Sequence, residues 1–170
     1  MDGSIYEREL RDILSGKKST VEKFKNKIDD DDRILDTLYE NPFYVVRAAG
    51  SFGADLIAIR HDFSLVIEVK SSIKPSIMFA ESSGKRQEQA ERLKKLCDAS
   101  GLVLTYAYRL KSVAGDPWRL FSVPGNPKGR LRIIYELLPK IGETRENNFC
   151  LKWNDGLPLI EFIKFVNNKI

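Results

Sequence analysis

The stretch Val45–Ser72, VVRAAGSFGADLIAIRHDFSLVIEVKSS, constrains the chain more than any other. Two short apolar runs flank His61-Asp62, the pattern of a β-hairpin. Each run carries an acid where a strand interior calls for an apolar residue: Asp55 opens the first and Glu68 sits inside the second. Lys70 follows two residues later, so strand alternation puts Val66, Glu68 and Lys70 on one face and Leu65, Ile67 and Val69 on the other. A carboxylate and an ammonium on a buried strand are costly unless they are paired or bind something. A hairpin brings the start of one strand beside the end of the next, which places Asp55 near Glu68. Two carboxylates and the Val69 carbonyl are the hard oxygen donors that Mg²⁺ takes. Lys70 is placed to orient or deprotonate water, or to neutralise charge developing on a phosphodiester.

The remaining composition excludes more than it selects. A chain of 170 residues predicts one domain, 1–170, with enough volume for a core. At 42% hydrophobic and 31% charged it reads as an ordinary folded protein. The net charge of +4 is compatible with a nucleic-acid partner without pointing to one. No apolar run is long enough to span a membrane, and the N-terminus lacks the pattern of a signal peptide, so a cytoplasmic location is expected. The single His61 gives poor support to zinc or Ser–His chemistry. Cys97 and Cys150 lack metal-ligand spacing; they read as core residues, with a disulfide left open.

In chain order, residues 4–15 predict a helix with Leu10, Ile13 and Leu14 inward and Gly16 at its end. Ser4 and Glu7 have capping-box spacing. A basic segment follows, with Ser19 or Thr20 as N-cap and Val21, Phe24 and Ile28 on one helical face. The aspartate run 29–32 reads as a solvated linker. Ile34, Leu35, Leu38 and Tyr39 predict another helix, stopped by Asn41-Pro42. Strands are expected at 43–48, 55–60, 63–70, 103–108 and 118–123, with a turn at Gly50–Gly53. A helix over 85–99 presents Ala90, Leu93, Leu96 and Cys97 and ends at Gly101. Residues 130–138 fit a short helix or strand, and 158–168 a closing amphipathic helix. Trp118, Phe121 and Trp153 read as core.

The ordered blocks YEREL near the N-terminus, VVRAAGS, AD and IEVK resemble the archaeal Holliday-junction resolvases, within the PD-(D/E)xK restriction-endonuclease-like nucleases. The likeness covers residues 3–14 and 43–123. It departs in Ala54, where the family commonly has Pro, and in two apparent insertions, 15–40 and 125–150. The resemblance implies an α/β fold with a central mixed five-stranded sheet flanked by helices. It implies Glu7, Asp55, Glu68 and Val69 as the metal site for Mg²⁺, with Mn²⁺ able to substitute. Lys70 matches the catalytic lysine and Ser51 a substrate-positioning serine. Arg8, Arg47 and, weakly, Gln89 match residues that contact DNA. The expected activity is metal-dependent cleavage of four-way DNA junctions, as paired nicks by a homodimer.

Each of these residues has a plainer reading. Glu7 can serve Ser4 as a capping-box partner, and Glu9 replaces it at the site if the register shifts by two. Asp55 can be a turn residue, and Glu68 with Lys70 a structural ion pair. Lys74, Lys85 and Arg86 lie just downstream of the acids, and Lys17, Lys18, Lys23, Lys25 and Lys27 lie in the first insertion. Together these form two candidate basic patches for DNA arms, read by shape rather than by base edges. A restriction or repair endonuclease, or a non-catalytic DNA-binding protein on the same scaffold, stays open as the alternative.

Overall fold

The two apolar runs pair as their spacing predicts. In a computed structural model that describes residues 3–29, 33–48 and 53–168, β2 (Leu56–Ile59) and β3 (Ser64–Ser72) are antiparallel, with Leu56 opposite Ile67. β1 (Tyr44–Arg47) lies antiparallel outside β2. β5 (Val103–Leu110) lies parallel to β3, placing Tyr106 beside Glu68, and β6 (Trp118–Ser122) returns antiparallel to β5. These are the five expected strands. A sixth, two-residue strand, here β9 (Leu157–Pro158), pairs with β6 and completes the order β1-β2-β3-β5-β6-β9. The sheet is therefore mixed and six-stranded rather than five-stranded, because the chain runs along β6 just before the closing helix.

A second sheet was not foreseen beyond a short extended piece that the sequence suggests at Ile77–Ala80. β4 (Ser76–Met78), β8 (Phe149–Lys152) and β7 (Gly142–Glu143) form a small antiparallel sheet in the order β4-β8-β7. Its strands are too short, and too far apart in sequence, to announce themselves by alternation.

Helices cover both faces. α1 (Ser4–Leu14), α2 (Lys18–Ile28), α3 (Thr37–Glu40) and α6 (Leu159–Asn168) supply Leu10, Phe24, Leu38 and Phe162 to a core with Leu65, Ile67 and Ala107. α4 (Lys85–Ser100) and the small sheet supply Ala90, Leu93, Ile77 and Leu151 to a second core around Tyr106, Tyr108 and Phe121. Residues 131–137 are helical, α5, resolving the ambiguity left by the sequence. No helix among the described residues is long and apolar enough to cross a membrane.

Local expectations changed at several points. The first residue of α1 is Ser4 and its N-cap is Gly3, with no side-chain cap. α2 starts at Lys18, ahead of the proposed Ser19 or Thr20 cap. Gly16 has φ +72°, and a Cβ there would lie 2.5 Å from the Leu38 carbonyl oxygen, so glycine alone allows α1 to turn beneath α3. Leu96 is 55% exposed, because α4 turns Gln87, Ala90, Leu93 and Cys97 inward and leaves Leu96 outside that stripe. Cys97 and Cys150 are both buried and unpaired, and burial pushes the Cys97 thiol up to about 11. Asp30–Asp32 and Ala49–Phe52 lie outside the described residues, so the aspartate linker and the glycine turn are not placed.

The end of the hairpin carries a connection that periodicity did not reveal. Arg60 donates to both Asp62 oxygens, from Nε at 2.7 Å and Nη2 at 2.8 Å. It also donates to the Asn41 and Val166 carbonyls and to Asn167 Oδ1. Its guanidinium lies 4.3 Å from the Phe43 ring centre. One buried side chain thus ties the hairpin to the end of α3 and the end of α6.

Candidate active site

The antiparallel register that pairs Leu56 with Ile67 continues outward to set Asp55 beside Glu68. Asp55 Oδ2 accepts a hydrogen bond from the Val69 N–H at 2.7 Å. On a strand the N–H and C=O of one residue project to the same side, so the Val69 carbonyl also faces the open end of β2. The site therefore sits where β2 begins and β3 runs on.

Glu68 is 1% exposed, on the strand face that carries Val66 and Tyr106 into the second core. Its Oε1 accepts from Lys70 Nζ at 2.9 Å. Its Oε2 is buried and has no hydrogen-bond partner among the described residues. A half-satisfied buried carboxylate carries a desolvation penalty of about 1–3 kcal/mol or more. An unmatched acceptor beside a second carboxylate is the kind of donor that a hard cation takes up. The plain reading of Glu68 and Lys70 as a surface pair fails on burial.

Asp55 is raised to about 6, first by burial, then by the negative charge of Glu68, with Glu7 adding to it. The Val69 N–H and Lys70 oppose this. Like charges crowded in a partly buried cleft are the pattern expected where a cation is to be held. Glu7 is drawn toward Asp55 from α1 and is itself gripped by Arg47, Nη2 to Oε2 at 2.8 Å. It does not close a capping box with Ser4; Ser4 Oγ instead accepts from Arg8. Glu9, the alternative to Glu7, points away and pairs with Arg109 at 3.0 Å.

Among the described residues no three or more His, Cys, Asp or Glu side chains form a ready-made metal cage. The donor set still suits Mg²⁺, which binds through one or two carboxylates and keeps water and substrate phosphate as its other ligands. Asp55, the orphaned Glu68 Oε2 and the Val69 carbonyl are donors of that kind.

The other sequence candidates divide. Lys74 and Arg86 line one polar cavity of about 240 Å³ with Ser71, Ser72 and Glu81, directly downstream of Lys70. Tyr108 Oη donates to the Lys74 carbonyl and holds this loop. Lys85 is exposed at the start of α4. Gln89 is half-buried on α4 and makes no described hydrogen bond to the acids. Arg8 bonds within its own helix to Ser4 and is not part of the acidic cluster. Ser51 falls outside the described residues.

The sequence reading missed Tyr106. It is fully buried, its ring is 5.3 Å from that of Phe79, and burial together with the charges of Glu68 and Asp55 raises its hydroxyl. Only the β3–β5 register, with Tyr106 opposite Glu68, brings it there. No local signal marked it.

A family model for the archaeal Holliday junction resolvase (Hjc) matches residues 25–170. The chain belongs to this family. Membership places it among the Holliday junction resolvases, nucleases that act on branched DNA. The match takes in Asp55, Glu68 and Lys70. It begins within α2, so Glu7 lies ahead of it and enters the site on geometry alone. The mixed sheet flanked by helices is the fold class the resemblance implied. Among solved structures the chain is similar to Archaeoglobus fulgidus Hjc, a Holliday junction resolvase from an archaeal hyperthermophile. The identity is 22%, over 83% of this chain and 95% of that one, with a TM-score of 0.49. A search of curated proteins finds no match.

The raised Asp55 has a consequence for stability in metal-free buffer. Its folded value lies above the ordinary 3.8, so the folded state holds the proton longer. Stability is then expected to fall as pH rises from about 4 to about 6. Discounted for the open side of the cleft, the loss is roughly 1–2 kcal/mol. Asp55→Asn should remove that loss and unfold at a higher temperature than the parent at pH 7, but not at pH 4. Thermal melts in chelator across this range test it; equal melting of the two proteins at pH 7 counts against the crowded-acid description.

Proposed function

We propose that this resolvase is a Mg²⁺-dependent endodeoxyribonuclease, with Mn²⁺ able to substitute, that nicks two opposing strands of a four-way junction as a homodimer in the cytoplasm. The observation that carries the chemistry is the placing of Asp55 beside a buried Glu68 whose second oxygen has no partner among the described residues. Asp55, Glu68 Oε2 and the Val69 carbonyl would hold the cation, with Glu7 at its margin. A divalent ion held there supplies Lewis acidity on a phosphodiester oxygen and an acidified water. Lys70 keeps its ammonium against Glu68 and at the mouth of the cleft, where it can orient water or offset charge developing on phosphorus oxygens. Arg47 restrains Glu7, and Lys74 with Arg86 forms a basic wall for the neighbouring phosphates.

The dimer reading is supported by an uncovered apolar face. Tyr44 and Val46 on β1 pair in register with Ile59 and Ile57 on β2, so their side chains share one face of the sheet. Tyr44 is 73% exposed, with Val46 and Ile59 above 40%. An apolar face on an edge hairpin is a surface that soluble monomers seldom leave open.

The test is a panel of labelled linear, flapped and four-way DNAs with Mg²⁺, Mn²⁺ or chelator, beside sedimentation of the free protein. Paired nicks in the four-way junction, dependent on metal, are expected from a species of twice the chain mass. Intact junctions that remain tightly bound in Mg²⁺ would sink the catalytic reading. Preferred cutting of linear duplex at a fixed sequence would assign it a different substrate.

A further inference from the structure

The segment between α1 and β1 builds a second feature, on the side of α1 away from the acids. α1 and α2 enclose a groove of about 680 Å³ whose walls include Ile5, Arg8, Phe24, Lys23, Lys27 and Arg109. On α1 the groove residues Ile5, Arg8, Glu9 and Asp12 follow the i, i+3, i+4, i+7 spacing of one stripe. Tyr6, Leu10, Ile13 and Leu14 form the core stripe, and Glu7 lies on its far flank. Groove and acidic cluster are therefore separated by roughly one helix diameter, about 10–12 Å.

The acids of the groove are already neutralised. Glu9 pairs with Arg109 at 3.0 Å. Asp12 pairs with Arg11 at 2.7 Å and Lys17 at 3.2 Å; burial pushes its carboxyl up, but these two cations outweigh it and hold it below the usual range. Lys25 is drawn off to Asp36 and Glu22. Arg8, Lys23 and Lys27 have no ion pair among the described residues. What is left is three unmatched cations along an apolar floor of exposed Ile5 and buried Phe24. A sugar–phosphate strand has the complementary character, with regularly spaced anions on a less polar sugar edge.

We propose that the α1–α2 groove binds the sugar–phosphate backbone of a junction arm, through Arg8, Lys23 and Lys27, as an anchoring site distinct from the acidic cluster. This rests on the junction-resolving reading and adds where an arm is held. Contacts of this kind carry no base specificity, and they release counterions, so the groove sets affinity and salt dependence rather than sequence choice.

The experiment is a salt titration of binding to a labelled four-way junction in chelator, read by fluorescence anisotropy. Lys23 and Lys27 are exposed, so Lys23→Ala/Lys27→Ala leaves the packing of α2 intact. This variant is expected to bind roughly tenfold more weakly near physiological salt, with a log–log salt slope smaller by about 2. Lys152→Ala/Lys164→Ala removes the same charge from exposed positions on β8 and α6 and should keep the parent slope. The proposal is overturned if the groove variant matches the parent in affinity and slope, which would leave the groove to an acidic protein segment. Equal losses in both variants overturn it as well, because total charge would then explain the effect. If the parent protein itself fails to bind junctions, the junction-resolving reading falls first, and that outcome is visible without any variant.

Discussion

Glu68→Gln is expected to reduce junction cleavage in Mg²⁺ by roughly a thousandfold or more while leaving junction binding within a few-fold of the parent. The substitution keeps the shape of a side chain that is 1% exposed, so packing is preserved and only the charge is lost. Without it, the cleft keeps only Asp55 and the marginal Glu7, and Lys70 loses the charged group that fixes its ammonium. Asp55→Asn should behave in the same way, since its carboxylate spans the gap between the start of β2 and the Val69 N–H. Lys70→Ala is expected to lose cleavage too, and in addition to lose stability, because it strands Glu68 as a buried charge with no partner. The measurements are single-turnover cleavage in Mg²⁺ and gel shift in chelator. Cleavage by Glu68→Gln or Asp55→Asn at the parent rate would place the reaction elsewhere on the molecule.

The largest stability effect is expected far from the acids, at Arg60. Arg60→Ala should destabilise the fold by about 3–5 kcal/mol, because it leaves Asp62 buried without its bidentate partner. It also frees the Asn41 and Val166 carbonyls and the Phe43 face at one stroke. In the parent, burial pushes the Asp62 carboxyl up but Arg60 outweighs it and holds the group below the usual value. Asp62 therefore contributes stability above pH 4, and that contribution is lost as pH falls through the depressed value. In the variant the sign should reverse: an unpaired buried Asp62 is raised, so mild acid protonates it and recovers part of the loss. Urea unfolding of parent and variant at pH 7 and pH 5 reads both effects. A loss below about 1 kcal/mol at pH 7 would mean that the hairpin end is held by its apolar contacts alone.

The local readings that held share a physical basis. Period-two alternation in Val45–Ser72 marked both strands and the face of Glu68 and Lys70, because pleat geometry depends only on sequence neighbours. Helical stripes in 4–14, 85–100 and 159–168 were legible for the same reason, except that Leu96 lies outside the contact between α4 and the sheet. The small sheet was not legible, since its pairing joins Ser76–Met78 to residues more than seventy positions away.

At the site, residue type and spacing alone determined the acids, the lysine and the strand ends they occupy. Tertiary structure decided which of them meet. It turned Glu7 toward Arg47 and Asp55 rather than toward Ser4, sent Glu9 to Arg109, and set Tyr106 against Glu68 through a parallel strand pairing. It also set Lys23 and Lys27 of the first insertion into the wall of a groove, while Lys17 and Lys25 went to Asp12 and Asp36. Burial and charge compensation between distant residues belong to the packed chain and have no counterpart in local sequence. The raised proton affinity of Asp55 and the unmatched oxygen of Glu68 therefore emerge only once the hairpin is closed over its neighbours.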